Sequence, residues 1–210
     1  MTTSEYRNGA VAKPRLIVGI TGASAPHLAI HLLTALRRLD AVETHLVISR
    51  AAHRTIELES GLRPEDVTAL ADVHHQRGDI AATIASGSFL TLGMVVVPCS
   101  MKTLAAVAHG YSDDLLTRAA DVCLKERRRL VLVTRETPLS LVHLRNMAAV
   151  TEAGATVLPP VPAFYQRPTS IPDVLAHLSG KILDQFGIRH ELFPRWAGAA
   201  AARHTEGAVR

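Results

Sequence analysis

The stretch VVVPCSMKTLAAVAHG, from Val95 to Gly110, narrows the possible folds more than any other part of this chain. A β-branched apolar run stops at Pro98, Cys99 and Ser100, and a helical pattern starts at once. A strand buried on both faces reads this way, and its polar exit is where such a strand presents groups to a ligand crevice. The unit recurs. RLIVGI (Arg15 to Ile20) ends in TGAS and is followed by PHLAIHLLTALRRL, where Leu28, Leu32, Leu33, Leu36 and Leu39 return at helical spacing. THLVIS, GMVVVP, LVLVTR and TVLPP read as further strands, with helical segments between them and a last helix from Ser170. Ser112 is the expected cap of the helix that runs to Arg128, and Gly61, Gly110 and Gly154 are expected helix stops. Strands separated by helices predict a doubly wound α/β fold, a three-layer α/β/α sandwich around a parallel sheet. Residues 15–188 form the expected domain, with tails at 1–14 and 189–210, and Trp196 suggests that the second tail docks.

Composition removes several function classes. With 48% hydrophobic and 20% charged residues in 210, the chain can bury a substantial core. Aromatics at 4% leave few side chains on which bases could stack, and a formal net charge of +4 is no basic stripe, so nucleic acid is not the expected partner. No apolar run is long enough to span a bilayer. Cys99 and Cys123 lack a C-x-x-C spacing and read as reduced core thiols of a cytoplasmic protein.

The strand exits collect Thr21, Gly22, Ala23 and Ser24; Ser49 and Arg50; Cys99 to Thr103; and Arg135 with Glu136. Hydroxyls and backbone N–H groups at helix starts suit a phosphate, and a small-residue turn lets backbone approach a flat ring. Gly19 to Ser24 lacks the last glycine of a dinucleotide fingerprint, and no acid ends the second strand to hold a ribose. A mononucleotide such as FMN fits better. Arg118 and Lys125 lie seven apart on one helix and face the same way. Arg127 to Arg129 read as a solvated basic face. Arg135 beside Glu136 can bind a phosphate and manage its protons.

From Arg15 to Ile188, the segments TGAS, PCSMKTLA, LLTRAADVCLKERRRLVLVTRETPL, HLRNM and PPVPAFYQRPTSI resemble the flavin prenyltransferases of the UbiX family. The resemblance implies a Rossmann-like flavoprotein, usually a dodecamer, that binds reduced FMN and dimethylallyl monophosphate. It implies prenyl transfer to flavin N5 and C6, giving prenylated FMN for UbiD-type decarboxylases, often in ubiquinone biosynthesis. The family's flavin contacts carry over to Gly22, Ala23, Ser24, Ser49, Ser100, Met101, Lys102, Thr103 and Arg135. Its prenyl-phosphate contacts match Tyr165 and Lys181, with Arg118 and Lys125 at basic positions near that phosphate. Its acids match Glu136 and Glu59, and Ser24 is the residue expected near flavin N5. The family usually reads G-A-S-G-A where this chain has Gly22-Ala23-Ser24-Ala25-Pro26, so a positive φ at Ala25 would carry a cost of roughly 1 kcal/mol. Some members place a tryptophan near Ile80, and its absence here leaves an aliphatic prenyl pocket.

The chemistry agrees with these residues. An allylic C–O bond to phosphate breaks more easily when cations stabilise the departing charge, which Arg118, Lys125, Tyr165 and Lys181 can do without a metal. Asp113-Asp114-Leu115-Leu116-Thr117 falls short of the D-D-x-x-D that metal-bound diphosphate chemistry uses, so a monophosphate donor is expected. Glu136 is the expected acid and later base, with Glu59 second; Cys99 is a structural filler. Two rivals share the fold. An FMN-dependent decarboxylase should carry P-x-M-N-x-x-M-W, which is missing; a non-catalytic flavin carrier need not keep Arg118, Lys125, Tyr165 and Lys181.

Overall fold

The computed structural model describes residues 13–196 and 198. Most of the expected N-terminal tail and the end of the C-terminal one lie outside these residues. The elements are β1 (Arg15–Ile20), α1 (Pro26–Leu39), β2 (Glu43–Ile48), α2 (Arg50–Ser60), α3 (Pro64–Thr68), β3 (Val73–His75) and β4 (Gly93–Cys99). They continue with α4 (Met101–Ala108), α5 (Leu115–Lys125), β5 (Arg129–Thr134), α6 (Leu141–Glu152), β6 (Thr156–Val157) and α7 (Ile171–Gln185). Short 3₁₀ turns cover Thr83–Ala85 and Phe164–Gln166.

All strand pairs are parallel and the order is β3-β2-β1-β4-β5-β6. This is the doubly wound order, in which the chain reverses direction across the sheet between β1 and β4 and opens a crevice there. Alternation along each strand divides the core. Val18, Leu46, Val95 and Val131 pack with Leu28, Leu32, Ile56, Ile182 and Leu183 of α1, α2 and α7. Ile17, Val47, Val96 and Leu132 pack with Leu104, Leu116, Ala120 and Val150 of α4, α5 and α6. Successive residues of a strand point to opposite faces, so a sheet covered on both sides needs the unbroken apolar runs seen in the sequence.

Three expectations change. The edge strand β3 was not foreseen; Val73–His75 is short and carries an exposed His74. The cap of α5 is Asp114, not Ser112: its side chain accepts from the Thr117 backbone N–H while the Thr117 side chain answers the Asp114 N–H. The carboxylate two residues nearer the helix closes this reciprocal box, which Ser112 is too far back to make. TVLPP contributes only Thr156–Val157 to the sheet. Ser170 caps α7 and Gly61 ends α2 as expected.

Candidate active site

Polar bonds fasten the strand exits to one another. Thr21 Oγ1 donates to the Pro98 carbonyl at 2.6 Å and accepts from Ser100 N–H at 2.8 Å, joining the loops after β1 and β4. Ser49 N–H donates to the Ile20 carbonyl at 2.9 Å, and Arg135 N–H to that of Cys99 at 3.1 Å. Ser49 caps α2 through Ala52 N–H, and Ser100 caps α4 through Thr103 N–H. With Asp114 at the head of α5, three helix N-termini meet at one cleft of about 560 Å³.

Gly22, Ser49, Ser100, Lys102 and Thr103 of the predicted flavin set line this cleft. Arg50 and Arg77 also line it, and its one lining carboxylate, Asp114, lies 3.5 Å from Arg77 Nη1. Helix N-termini and a surplus of cations favour an anion. A methyl group on Gly22 would sit 2.5 Å from Ala51 Cβ and 3.1 Å from the Ala51 carbonyl carbon, so only glycine lets this loop lie against the first turn of α2. The residues thus fit a phosphate-bearing ring system: capped helix starts for the anion, and a side-chain-free wall beside it.

Ala23 and Ser24 follow β1, Met101 opens α4, and Arg135 and Glu136 follow β5; none of the five is part of that lining. Glu59 reaches from α2 to accept from Ser24 Oγ at 3.0 Å and from Ala25 N–H at 2.9 Å. Ala25 is left-handed, φ 74° and ψ 48°, directly before Pro26 at the first turn of α1. The carboxylate therefore pins a loop whose conformation is unfavourable for an L-residue. Glu136 Oε1 accepts from Thr137 N–H at 3.0 Å on the surface. Cys99 is fully buried and its thiol is pushed up to about 12 by burial, which fits the filler role.

The predicted prenyl-phosphate residues fall into two groups within the chain. Arg118 and Lys125 do share a face of α5: Arg118 Nε donates to the Ala85 carbonyl, and the Lys125 ammonium packs near Gly87. Arg118 pairs with Asp121 at 2.7 Å and Lys125 pairs with Glu126. Lys125 closes the last turn of α5, roughly 15 Å along the helix from the end at the cleft. Tyr165 and Lys181 lie with α7 on the opposite face of the sheet. Tyr165 Oη is 3.4 Å from His177 Nε2, and its ring meets Trp196 edge-on at 5.9 Å. Lys181 Nζ is 3.8 Å from Asp184, whose carboxylate is held by both Arg195 nitrogens at 2.7 Å and by His190 at 3.2 Å. Residues 189–196 thus dock on α7, as Trp196 suggested.

Sequence reasoning passed over Arg77, and it read Asp114 as a first-turn acid behind a Ser112 cap and as part of a failed metal motif, not as the cap itself. The D-x-x-T spacing of Asp114 and Thr117 was the available signal for the cap. Among the described residues, no cluster of three His, Cys, Asp or Glu side chains is placed to hold a metal ion. Nor is any helix among them long and apolar enough to cross a membrane.

Comparison with known proteins agrees with this geometry. Residues 4–180 match the family model described as Flavoprotein. The flavin prenyltransferase UbiX of Escherichia coli (strain K12) is 57% identical over 187 residues, 88% of this chain and 99% of the relative. The crystal structure of AnUbiX (PadA1) in complex with FMN and dimethylallyl pyrophosphate superposes with a TM-score of 0.87 at 55% identity, covering 89% of this chain and 98% of that one. A dodecameric FMN-dependent Ubix-like decarboxylase from Escherichia coli O157:H7 gives 0.85 at 54%, covering 88% and 100%. With a family model matched over residues 4–180 and relatives more than half identical over most of its length, this chain belongs to the flavoprotein family and, within it, to the UbiX flavin prenyltransferases.

Proposed function

We propose that this chain joins the dimethylallyl group of dimethylallyl monophosphate to N5 and C6 of reduced FMN and passes the prenylated FMN to a UbiD-type decarboxylase in the cytoplasm. The observation that carries the reading is the cleft at three helix N-termini, with its cationic lining and the bare backbone of Gly22. Reduced flavin supplies the nucleophilic N5 and the C6 position where the new ring closes. Ser49, Ser100, Lys102 and Thr103 hold its phosphate end through hydroxyls, N–H groups and one ammonium. Gly22, Ala23, Met101 and Arg135 border its ring. Ser24, steadied by Glu59, stands at the reacting edge.

As the allylic C–O bond breaks, its electron pair leaves with the phosphate, and Arg118, Lys125, Tyr165 and Lys181 stabilise that charge. N5 loses its proton on alkylation, the double bond of the attached group takes up a proton as its tertiary carbon bonds C6, and C6 then loses its own. Glu136 protonates the phosphate and helps remove the C6 proton, with Glu59 as the alternative acid. In one chain Arg118 and Lys125 lie across the sheet from Tyr165 and Lys181, so copies of the chain bring the two groups together. A homododecamer, the assembly named for the Escherichia coli O157:H7 relative, is the arrangement we favour. A monophosphate donor is preferred because the Asp114 carboxylate is committed to capping α5.

Apo UbiD-type decarboxylase tests the reading. Its CO₂ release is expected to return only when this chain, reduced FMN and dimethylallyl monophosphate have all been supplied. CO₂ release from the acid substrate by this chain with FMN alone favours the second reading, a direct FMN-dependent decarboxylase, as the dodecameric Escherichia coli O157:H7 relative is described.

A further inference from the structure

The proposed chemistry leaves unused a histidine that touches the predicted phosphate ligand Tyr165. His177 lies on α7 in one stripe with Lys181 and Asp184. It is 8% exposed, and its Nδ1 is buried without a hydrogen-bond partner among the described residues. Its Nε2 is 3.4 Å from Tyr165 Oη, with the two rings edge-on at 6.0 Å and 89°. Phe193 closes over the imidazole at 4.7 Å. Gly180 permits this closure, since a methyl group there would meet Phe193 Cε1 at 2.4 Å.

Two neutral tautomers are possible, and the surroundings separate them. With hydrogen on Nδ1, a donor would be buried with nothing to receive it. With hydrogen on Nε2, only an acceptor lone pair is left over, the less costly of the two orphans. Burial and the neighbouring Lys181 ammonium push the imidazole below its ordinary pKa, which keeps it uncharged at neutral pH. The Asp184 carboxylate pulls the other way, but it is occupied by Arg195 and His190.

We infer that His177 is a positioning residue that donates from Nε2–H to the Tyr165 hydroxyl oxygen, leaving the phenolic proton free to point at the anionic end of the prenyl donor. A Tyr165 that gave its proton to the imidazole could only accept, and an acceptor repels phosphate oxygens. The inference rests on the phosphate role proposed for Tyr165, and it adds the residue that sets the direction of that hydroxyl.

The test is a mutant cycle on the protein loaded with oxidised FMN, reading equilibrium binding of dimethylallyl monophosphate by calorimetry so that no turnover is needed. H177F is expected to weaken binding about tenfold or more, the scale of one hydrogen bond to a charged ligand. In the Y165F background H177F should weaken it no further, whereas H177Q, whose amide can still donate, should stay within about twofold of wild type. Equal losses from H177F in both backgrounds would overturn the inference, as would H177Q binding as poorly as H177F. Loss of FMN affinity in H177F would overturn it too, because His177 would then be a packing residue. Should wild type bind the donor yet form no prenylated flavin once reduced, the transferase reading fails while the cycle still decides the role of His177. Should wild type not bind the donor, both fail.

Discussion

Replacing Ala25 by glycine should make the protein more stable. Its φ of 74° and ψ of 48° lie in the left-handed region, where an L-residue carries roughly 1–2 kcal/mol of strain. Glycine removes that strain but enlarges the unfolded ensemble, which returns about 0.4–1 kcal/mol. The methyl group is only part-buried, and the bond from Ala25 N–H to Glu59 belongs to the backbone, so neither subtracts much. The net gain is about 0.5–1 kcal/mol, or about 1–4 °C in Tm for a chain of this size. Thermal unfolding of wild type and Ala25→Gly at equal protein concentration, with and without FMN, measures it. A Tm lowered by the substitution would refute the left-handed loop.

Other substitutions separate binding from folding. Ser49→Asp keeps an equally good cap on α2 and should leave stability unchanged, but its carboxylate would face the phosphate in the proposed flavin pose and should weaken FMN at least about tenfold in a fluorescence titration. Glu136→Gln should hold FMN within a few fold while slowing prenyl transfer by about 10²-fold. A normal rate in pre-reduced, stopped-flow turnover would transfer the acid role to Glu59. Cys99 and Cys123, both raised to about 12 by burial, should resist iodoacetamide at pH 8 and react once the chain is unfolded. Because the unfolded thiols ionise first, their contribution is complete below the ordinary thiol value of 9.0 and falls as pH rises toward 12, so denaturant midpoints should drop above pH 9.

Sheet and cleft were readable for the same reason: strands buried on both faces have to be continuous apolar runs, and the residues after them have to be at the crevice. That logic located Gly22, Ser49, Ser100, Lys102 and Thr103, all of which line the cleft. It missed β3, because a three-residue edge strand with an exposed His74 has no such run. Helical periodicity put Arg118 and Lys125 on one face of α5, yet a face does not say which end of the helix a residue occupies relative to the crevice. Ala25 could be flagged only through the resemblance, because the family usually has a glycine at that place, and its left-handed φ of 74° is the conformation a glycine would suit. The contacts of Arg77 with Asp114, and of His177 with Tyr165, join residues distant along the chain, and no short motif encodes them.

The most direct test is the mass of the flavin after anaerobic incubation of this protein with reduced FMN and dimethylallyl monophosphate. The flavin recovered should be heavier by one dimethylallyl group less the hydrogen lost in substitution, with inorganic phosphate released in equal amount, and dimethylallyl pyrophosphate should serve less well. Unchanged FMN from protein shown to bind both ligands would contradict prenyl transfer by this site.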